Sequence, residues 1–262
     1  MRIVCLCNNW LGWQVLQWLA DQGQEIAGLV VHPDGLGKCL EEIQAVARRT
    51  GCTVLDDSQV SKPEGLEQIR SCKADMAVSI LFRNMLRKPF LDLFPKGCIN
   101  LHPAFLPYNR GNYPNVWSIV EKTPAGVTLH YIDEGLDTGD IIAQEEVVVE
   151  MTDTGGTLYR KLEVAALELF QRTWPGIEAG NAPRKQQSSE PGTCHRRSDV
   201  GAIDDIDLER MYRAEDLINI LRARTFPPYT GAYFKHNGKK IYLRLELCLE
   251  LSEEPEGGKP TT

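Results

Sequence analysis

Short apolar runs recur through the first hundred residues, each closed by a polar or Gly/Pro-bearing turn and followed by a stretch of helical spacing. Residues 2–7 (RIVCLC) form the first run, and Asn8-Asn9 opens a helical stretch to about Asp21. Residues 25–31 (EIAGLVV) predict a second strand that stops at His32-Pro33. Ile43, Val46 and Ala47 then share one helix face, and a brief strand follows at Thr53-Val54-Leu55. Residues 64–72 read as a helix and residues 76–81 (MAVSIL) as a buried strand. Strands alternating with helices of this length predict an α/β fold, a mostly parallel Rossmann-like sheet with helices on both faces.

The pattern changes after Cys98. Ile99-Asn100-Leu101-His102 is a strand ended by a proline, and Leu106 to Gly111 reads as loop. Residues 126–132 and 141–149 are two strands joined by a turn rich in Asp and Gly. From Thr154 to about Gln171, Leu158, Leu162, Ala165, Ala166 and Leu169 repeat at core-facing helical spacing. Residues 181–198 are polar and read as a linker. Beyond it, Ala214–Arg224 predicts an amphipathic helix, and Tyr233 to Leu243 a hairpin about a His-Asn-Gly turn. This divides the chain into a catalytic domain over 1–180, a linker over 181–198, a helix-plus-hairpin subdomain over 199–252, and a disordered tail over 253–262.

Composition narrows the function. The chain has 262 residues, 42% of them hydrophobic, enough for one sizeable core. A net charge of -7 weighs against a polyanionic partner, because binding nucleic acid needs phosphate-neutralising Lys and Arg. The eight cysteines show no Cys-x-x-Cys spacing, so neither a zinc site nor a disulfide framework is expected. No leader and no membrane-spanning run is legible, which makes a cytoplasmic protein the expectation. Asn8-Asn9-Trp10-Leu11-Gly12 is a poor phosphate cradle, so a nicotinamide dinucleotide is not expected.

Polar side chains at strand ends are where an open α/β sheet meets its ligands. Asn100 and His102 lie two apart on a strand and so project to one face, and Asp137 sits in the Asp/Gly-rich turn. Amide, imidazole and carboxylate together suit metal-free acyl transfer to an amine: the Asn NH2 and the His ring N–H donate to the tetrahedral oxyanion. The carboxylate orients the imidazole and accepts the amine proton directly or through water. Each piece also has a structural reading, as loop hydrogen bonding for Asn-x-His, and as a plain turn or a hard-cation site for the Asp-rich segment.

Taken together, Asn100-Leu101-His102-Pro103, Leu106-Pro107 and Leu136-Asp137-Thr138-Gly139 resemble the folate-dependent formyltransferase family, most closely over residues 75–150. The resemblance implies the formyltransferase fold, Asn100, His102 and Asp137 as the catalytic trio, and N10-formyltetrahydrofolate as donor with no metal. It also implies a donor slot at Leu81, Phe82 and Arg83 and at Ile132, Asp133 and Glu134, although Leu81 and Phe82 serve equally well as core residues.

For the acceptor, the segment Ile206-Asp207 to Phe226-Pro227-Pro228-Tyr229 is similar to Met-tRNA formyltransferases, whose chain continues into a basic barrel; about thirty residues follow Tyr229 here. Glycinamide ribonucleotide formyltransferases carry a phosphate loop where this chain has Asn8-Asn9-Trp10. The helix, Phe-Pro-Pro-Tyr segment and hairpin are most similar to the sugar N-formyltransferases, which formylate nucleotide-linked amino sugars for surface polysaccharides such as lipopolysaccharide O-antigen. The expected assembly is a homodimer, with neither nucleic acid nor membrane as partner. An amino-acid or peptide amine, or Met-tRNA, is the alternative acceptor. A nucleotide-sugar needs cations and aromatic surface, for which Tyr108, Asn109, Arg110, Arg222, Arg224, Tyr229 and Tyr233 are the candidates. The two C-terminal tyrosines fit packing of the hairpin equally well, and the two C-terminal arginines also fit solvated helix-end charges.

Overall fold

The computed structural model describes residues 1–33, 35–188 and 191–250. The tail expected over 253–262 lies outside the described residues.

The predicted alternation is realised as β1 (Arg2–Cys7), α1 (Asn9–Asp21), β2 (Glu25–Val31), α2 (Leu40–Thr50), β3 (Thr53–Asp56), α3 (Pro63–Ser71), β4 (Met76–Ile80), α4 (Lys88–Leu91) and β5 (Cys98–His102). Then follow β6 (Arg110–Gly111), α5 (Pro114–Val120), β7 (Gly126–Tyr131), β8 (Ile141–Glu146) and α6 (Gly155–Glu178). The C-terminal part holds β9 (Cys194–His195), α7 (Gly201–Asp204), α8 (Ala214–Ala223), β10 (Tyr233–His236) and β11 (Lys239–Tyr242). Seven strands form one sheet in the order β3-β2-β1-β4-β5-β7-β8. The first five are mutually parallel, whereas β7 runs antiparallel to both β5 and β8.

Strand periodicity assigns each side chain of β1 to a face. Ile3, Cys5 and Cys7 enter the core beneath α1, α2 and α6, while Val4 and Leu6 join the opposite cluster with Ile69, Phe90 and Phe94. Burial on both faces is why β1 and β4 read as continuous apolar runs. Among the described residues no helix is long and apolar enough to cross a membrane.

Two departures from the sequence reading have physical causes. The helix expected to end near Gln171 continues to Glu178 through Pro175. Trp174 and Ile177 are each buried to 1% exposure, and this burial outweighs the proline's local penalty. The described residues of 181–198 strap onto the main sheet and the loop beside it rather than forming a free linker. Lys185 pairs with Ile141, and β9 pairs in parallel with β6.

The C-terminal helix is anchored by a buried cation. Arg222 Nη1 donates to the carbonyls of Glu150 at 2.9 Å and Asp153 at 3.0 Å, and its Nε donates to Asn219 Oδ1 at 2.8 Å. These carbonyls precede α6, so α8 is tied to the loop leading into α6.

Phe170 is fully buried on α6, stacked with Trp174 and edge-on to Trp18. Phe170→Ala should therefore lower the unfolding free energy by about 3–5 kcal/mol in urea titrations. Val164→Ala, at a position 51% exposed on the same helix, should change it by no more than about 0.5 kcal/mol.

Candidate active site

The site forms where β5 and β7 pair. Asn100 and His102 share a face of β5, and the antiparallel register sets His130 opposite Asn100 and Thr128 opposite His102. Asn100 Nδ2 donates to His130 Nε2 at 3.2 Å. His130 Nδ1 lies 2.8 Å from the Tyr131 carbonyl, so Nδ1 carries the proton and Nε2 offers its lone pair to the asparagine. Burial pushes the His130 imidazole below its ordinary value, outweighing the nearby Asp137 charge, and the ring is neutral at pH 7.

Asp137 arrives on the loop between β7 and β8. Asp133 Oδ1 organises that loop by accepting from the Gly135 N–H at 3.0 Å and the Thr138 hydroxyl at 2.7 Å. Gly139 then folds back so closely that a Cβ there would lie 1.9 Å from the Tyr131 carbonyl oxygen, which restricts the position to glycine. Asp137 itself adopts a left-handed φ of 53°, aiming its carboxylate at the two histidines. Oδ2 accepts from the Gly111 N–H at 2.9 Å and lies 3.6 Å from His102 Nε2. Oδ1 lies 3.5 Å from Asn100 Nδ2 and 3.6 Å from His130 Nε2. Burial alone would raise this carboxyl. The adjacent His102, the Gly111 N–H and Arg110 together hold it below the ordinary carboxylate range, so it is ionised.

The strap completes the setting. Gln187 Nε2 donates to the carbonyls of Asp137 at 2.7 Å and Gly139 at 2.9 Å, while its Oε1 accepts from Arg110 Nη2 at 2.6 Å. His102 Nε2 lies 3.3 Å from the Asn109 carbonyl. Asn109 is held in turn by Thr123 Oγ1, at 2.9 Å from its Nδ2.

These groups open onto a cavity of about 910 Å³. Asn100, His102 and Asp137 line it, as do Leu81, Phe82, Arg83, Ile132 and Asp133. Glu134 is exposed and outside its lining. Of the acceptor candidates, Arg224 and Tyr229 border the cavity. Arg224 is already paired with Asp204, at 2.5 and 3.0 Å. Arg222 is corrected from a substrate contact to the buried anchor described above. Tyr233 packs edge-on against Tyr242 within the hairpin, and Asn109 and Arg110 hold the loop and strap instead of facing the cavity. Tyr108 is half-buried and outside the lining.

Sequence reasoning missed His130, Lys38, Tyr159 and Arg197, which also line the cavity. His130 carried a signal, as a lone titratable side chain in an otherwise apolar strand. The others carried none: Lys38 and Arg197 arrive on loops, and Tyr159 on the first turns of α6, where its side chain reads as one helical position among many.

Residues 35–173 match the formyl transferase family model, and residues 199–248 match the N-formyltransferase dimerization C-terminal domain. The chain belongs to the formyl transferase family. It is 34% identical to methionyl-tRNA formyltransferase of Bacillus subtilis (strain 168), over 97% of this chain and 81% of that protein. Among solved structures, a sugar N-formyltransferase from Shewanella shares the fold, with a TM-score of 0.82 at 24% identity, covering 96% of this chain and 99% of that one. A 4-N formyltransferase from Francisella tularensis superimposes with a TM-score of 0.79 at 27% identity, over 95% of this chain and 98% of that one. The formyltransferase PseJ from Anoxybacillus kamchatkensis was solved with UDP-4,6-dideoxy-4-formamido-L-AltNAc and tetrahydrofolate. It is 29% identical with a TM-score of 0.56, over 82% of this chain and 93% of that one.

The depressed His130 pKa gives this formyl transferase a specific pH dependence of stability. The unfolded chain takes up a proton at His130 near pH 6.5 while the native ring resists it, so stability falls as pH drops below about 6.5. The slope from this residue is at most about 1.4 kcal/mol per pH unit. Asp137 acts in the same direction lower down: its contribution is present above about pH 3.9 and is lost as pH falls through its depressed native value. Urea midpoints from pH 7 to 5 should show a shallower decline in His130→Asn than in wild type. Equal slopes would contradict the neutral buried imidazole.

Proposed function

We infer that the protein moves a formyl group from N10-formyltetrahydrofolate to the amine of a nucleotide-linked amino-dideoxy sugar, as in the assembly of surface polysaccharides. The observation that carries this reading is the combination of the Asn100–His102–Asp137 cluster with a C-terminal unit over 199–248 matching the N-formyltransferase dimerization domain. Near full-length similarity to the Francisella 4-N formyltransferase supports it, and so do the sugar nucleotide and folate bound to PseJ. The same C-terminal match supports a homodimer.

The roles follow from the geometry. Asn100 Nδ2 and a ring N–H of His102 donate to the formyl oxygen as negative charge develops there. Ionised Asp137 lies beside His102 and takes up the amine proton directly or through water. His130 holds the Asn100 amide with its NH2 pointed toward the reacting centre. The cavity wall at Leu81–Arg83 and Ile132–Asp133 accepts the folate, while Lys38, Arg197, Phe226 and Tyr229 supply cations and aromatic surface for the sugar nucleotide.

A second reading, formylation of the aminoacyl amine of methionyl-tRNA, is favoured by the identity to the Bacillus subtilis enzyme. A net charge of -7 weighs against it on electrostatic grounds.

A spectrophotometric assay of N10-formyltetrahydrofolate turnover, run against amino-sugar nucleotides and against methionyl-tRNA, separates the readings. Turnover with one sugar nucleotide and none with the tRNA is expected. Asn100→Ala should lower kcat by about 10²–10³-fold, the usual effect of removing one oxyanion donor. Turnover with methionyl-tRNA alone would establish the second reading in place of the first.

A further inference from the structure

The catalytic roles leave unexplained a further buried imidazole, 2% exposed, just after β2. His32 Nδ1 lies 2.6 Å from Asp57 Oδ2, and His32 Nε2 accepts the backbone N–H of Arg83 at 3.1 Å. The same Asp57 oxygen accepts from Asn84 Nδ2 at 2.9 Å. The Phe82 ring stacks on the imidazole, 4.8 Å between centroids and 16° between planes. Thus the edge and the face of one ring, with its carboxylate partner, meet three consecutive residues of the loop after β4.

That loop needs outside support. It begins at Leu81, held at a left-handed φ of 53°, and leaves the sheet with its Arg83 amide directed away from any strand partner. Arg83 Nη1 also reaches the Leu36 carbonyl at 3.3 Å, closing the loop over the turn that follows His32. Because the Arg83 amide donates, Nε2 must present a lone pair, so Nδ1 carries the proton. Asp57 selects that tautomer by accepting it. A ring of opposite tautomer would set two N–H groups against each other and release the loop.

We propose that His32 and Asp57 are positioning residues that set the Leu81–Asn84 wall of the active-site cavity, and thereby govern donor affinity without entering the chemistry. The inference rests on the proposed function in taking this wall as the folate side. Its structural half stands apart, because it concerns only the loop.

Two measurements on the full chain test it. Amide hydrogen exchange at Arg83 should accelerate in His32→Phe, which keeps the ring stack and removes both hydrogen bonds; exchange at the wild-type rate would overturn the positioning role whatever the donor is. In formyl-transfer assays His32→Phe should raise KM for N10-formyltetrahydrofolate about tenfold, with kcat and acceptor KM within about threefold of wild type. His32→Gln, whose amide offers one acceptor and one donor, should restore donor KM to within about threefold. Asp57→Ala, at a side chain 13% exposed, gives the same test should His32→Phe fold poorly. Unchanged donor KM in folded variants, or a fall in kcat alone, would sink the inference. Loss of all folate turnover in wild type as well would instead count against the proposed donor, and leave the exchange result to decide the loop.

Discussion

The carboxylate of Asp137 is the constraint on which the rest of the site depends. Buried charge is costly unless it is met on several sides, and here it is met by a backbone N–H, the Asn100 amide and the His102 imidazole, with His130 orienting that amide, so that β5, β6 and β7 all contribute. Each of those groups has to be delivered by its own element. β5 supplies Asn100 and His102, β7 supplies His130, and Gly111 reaches the carboxylate because β6 pairs with the strap. Gln187 fixes the loop from behind by binding the carbonyl of Asp137 itself. The antiparallel addition of β7 to an otherwise parallel sheet is thus what allows two strands to contribute to one face of one site.

The same placement accounts for the division of labour around the cavity. Near the floor, His130 is held neutral beside an ionised Asp137. The cavity rim near Lys38, Arg197, Arg224 and Tyr229 is more exposed and draws on the C-terminal segment as well as the main sheet. Arg222 fastens α8 to the loop before α6, so that this rim is built from two parts of the chain with a fixed relation.

Much of this was legible in the residues. The parallel half of the sheet follows from apolar runs in β1, β2 and β4, and the trio was singled out by an i, i+2 pair at a strand end and an Asp-Thr-Gly turn, read together with the family resemblance they carry. His130 was not found, because its meeting with Asn100 depends on the register of two antiparallel strands, and one strand alone does not reveal that. Arg222 was misplaced because an arginine near a helix end looks the same in sequence whether it faces ligand or caps buried carbonyls. The linker reading failed for a related reason: polar composition in 181–198 reflects side chains such as Gln187 bonding to backbone, which hydropathy cannot distinguish from solvation. The helix beyond Gln171 was hidden by Pro175, whose local preference is overridden by the burial of Trp174.

The central claim is that a charged Asp137, rather than its shape, organises the reaction. Asp137→Asn keeps size and most hydrogen-bonding geometry while removing the charge. Single-turnover formyl transfer with this variant should fall by about 10²–10⁴-fold, the usual contribution of a positioned proton acceptor, with donor affinity close to wild type. Transfer at the wild-type rate would contradict the account, and would leave the asparagine and histidines as the whole of the catalytic machinery.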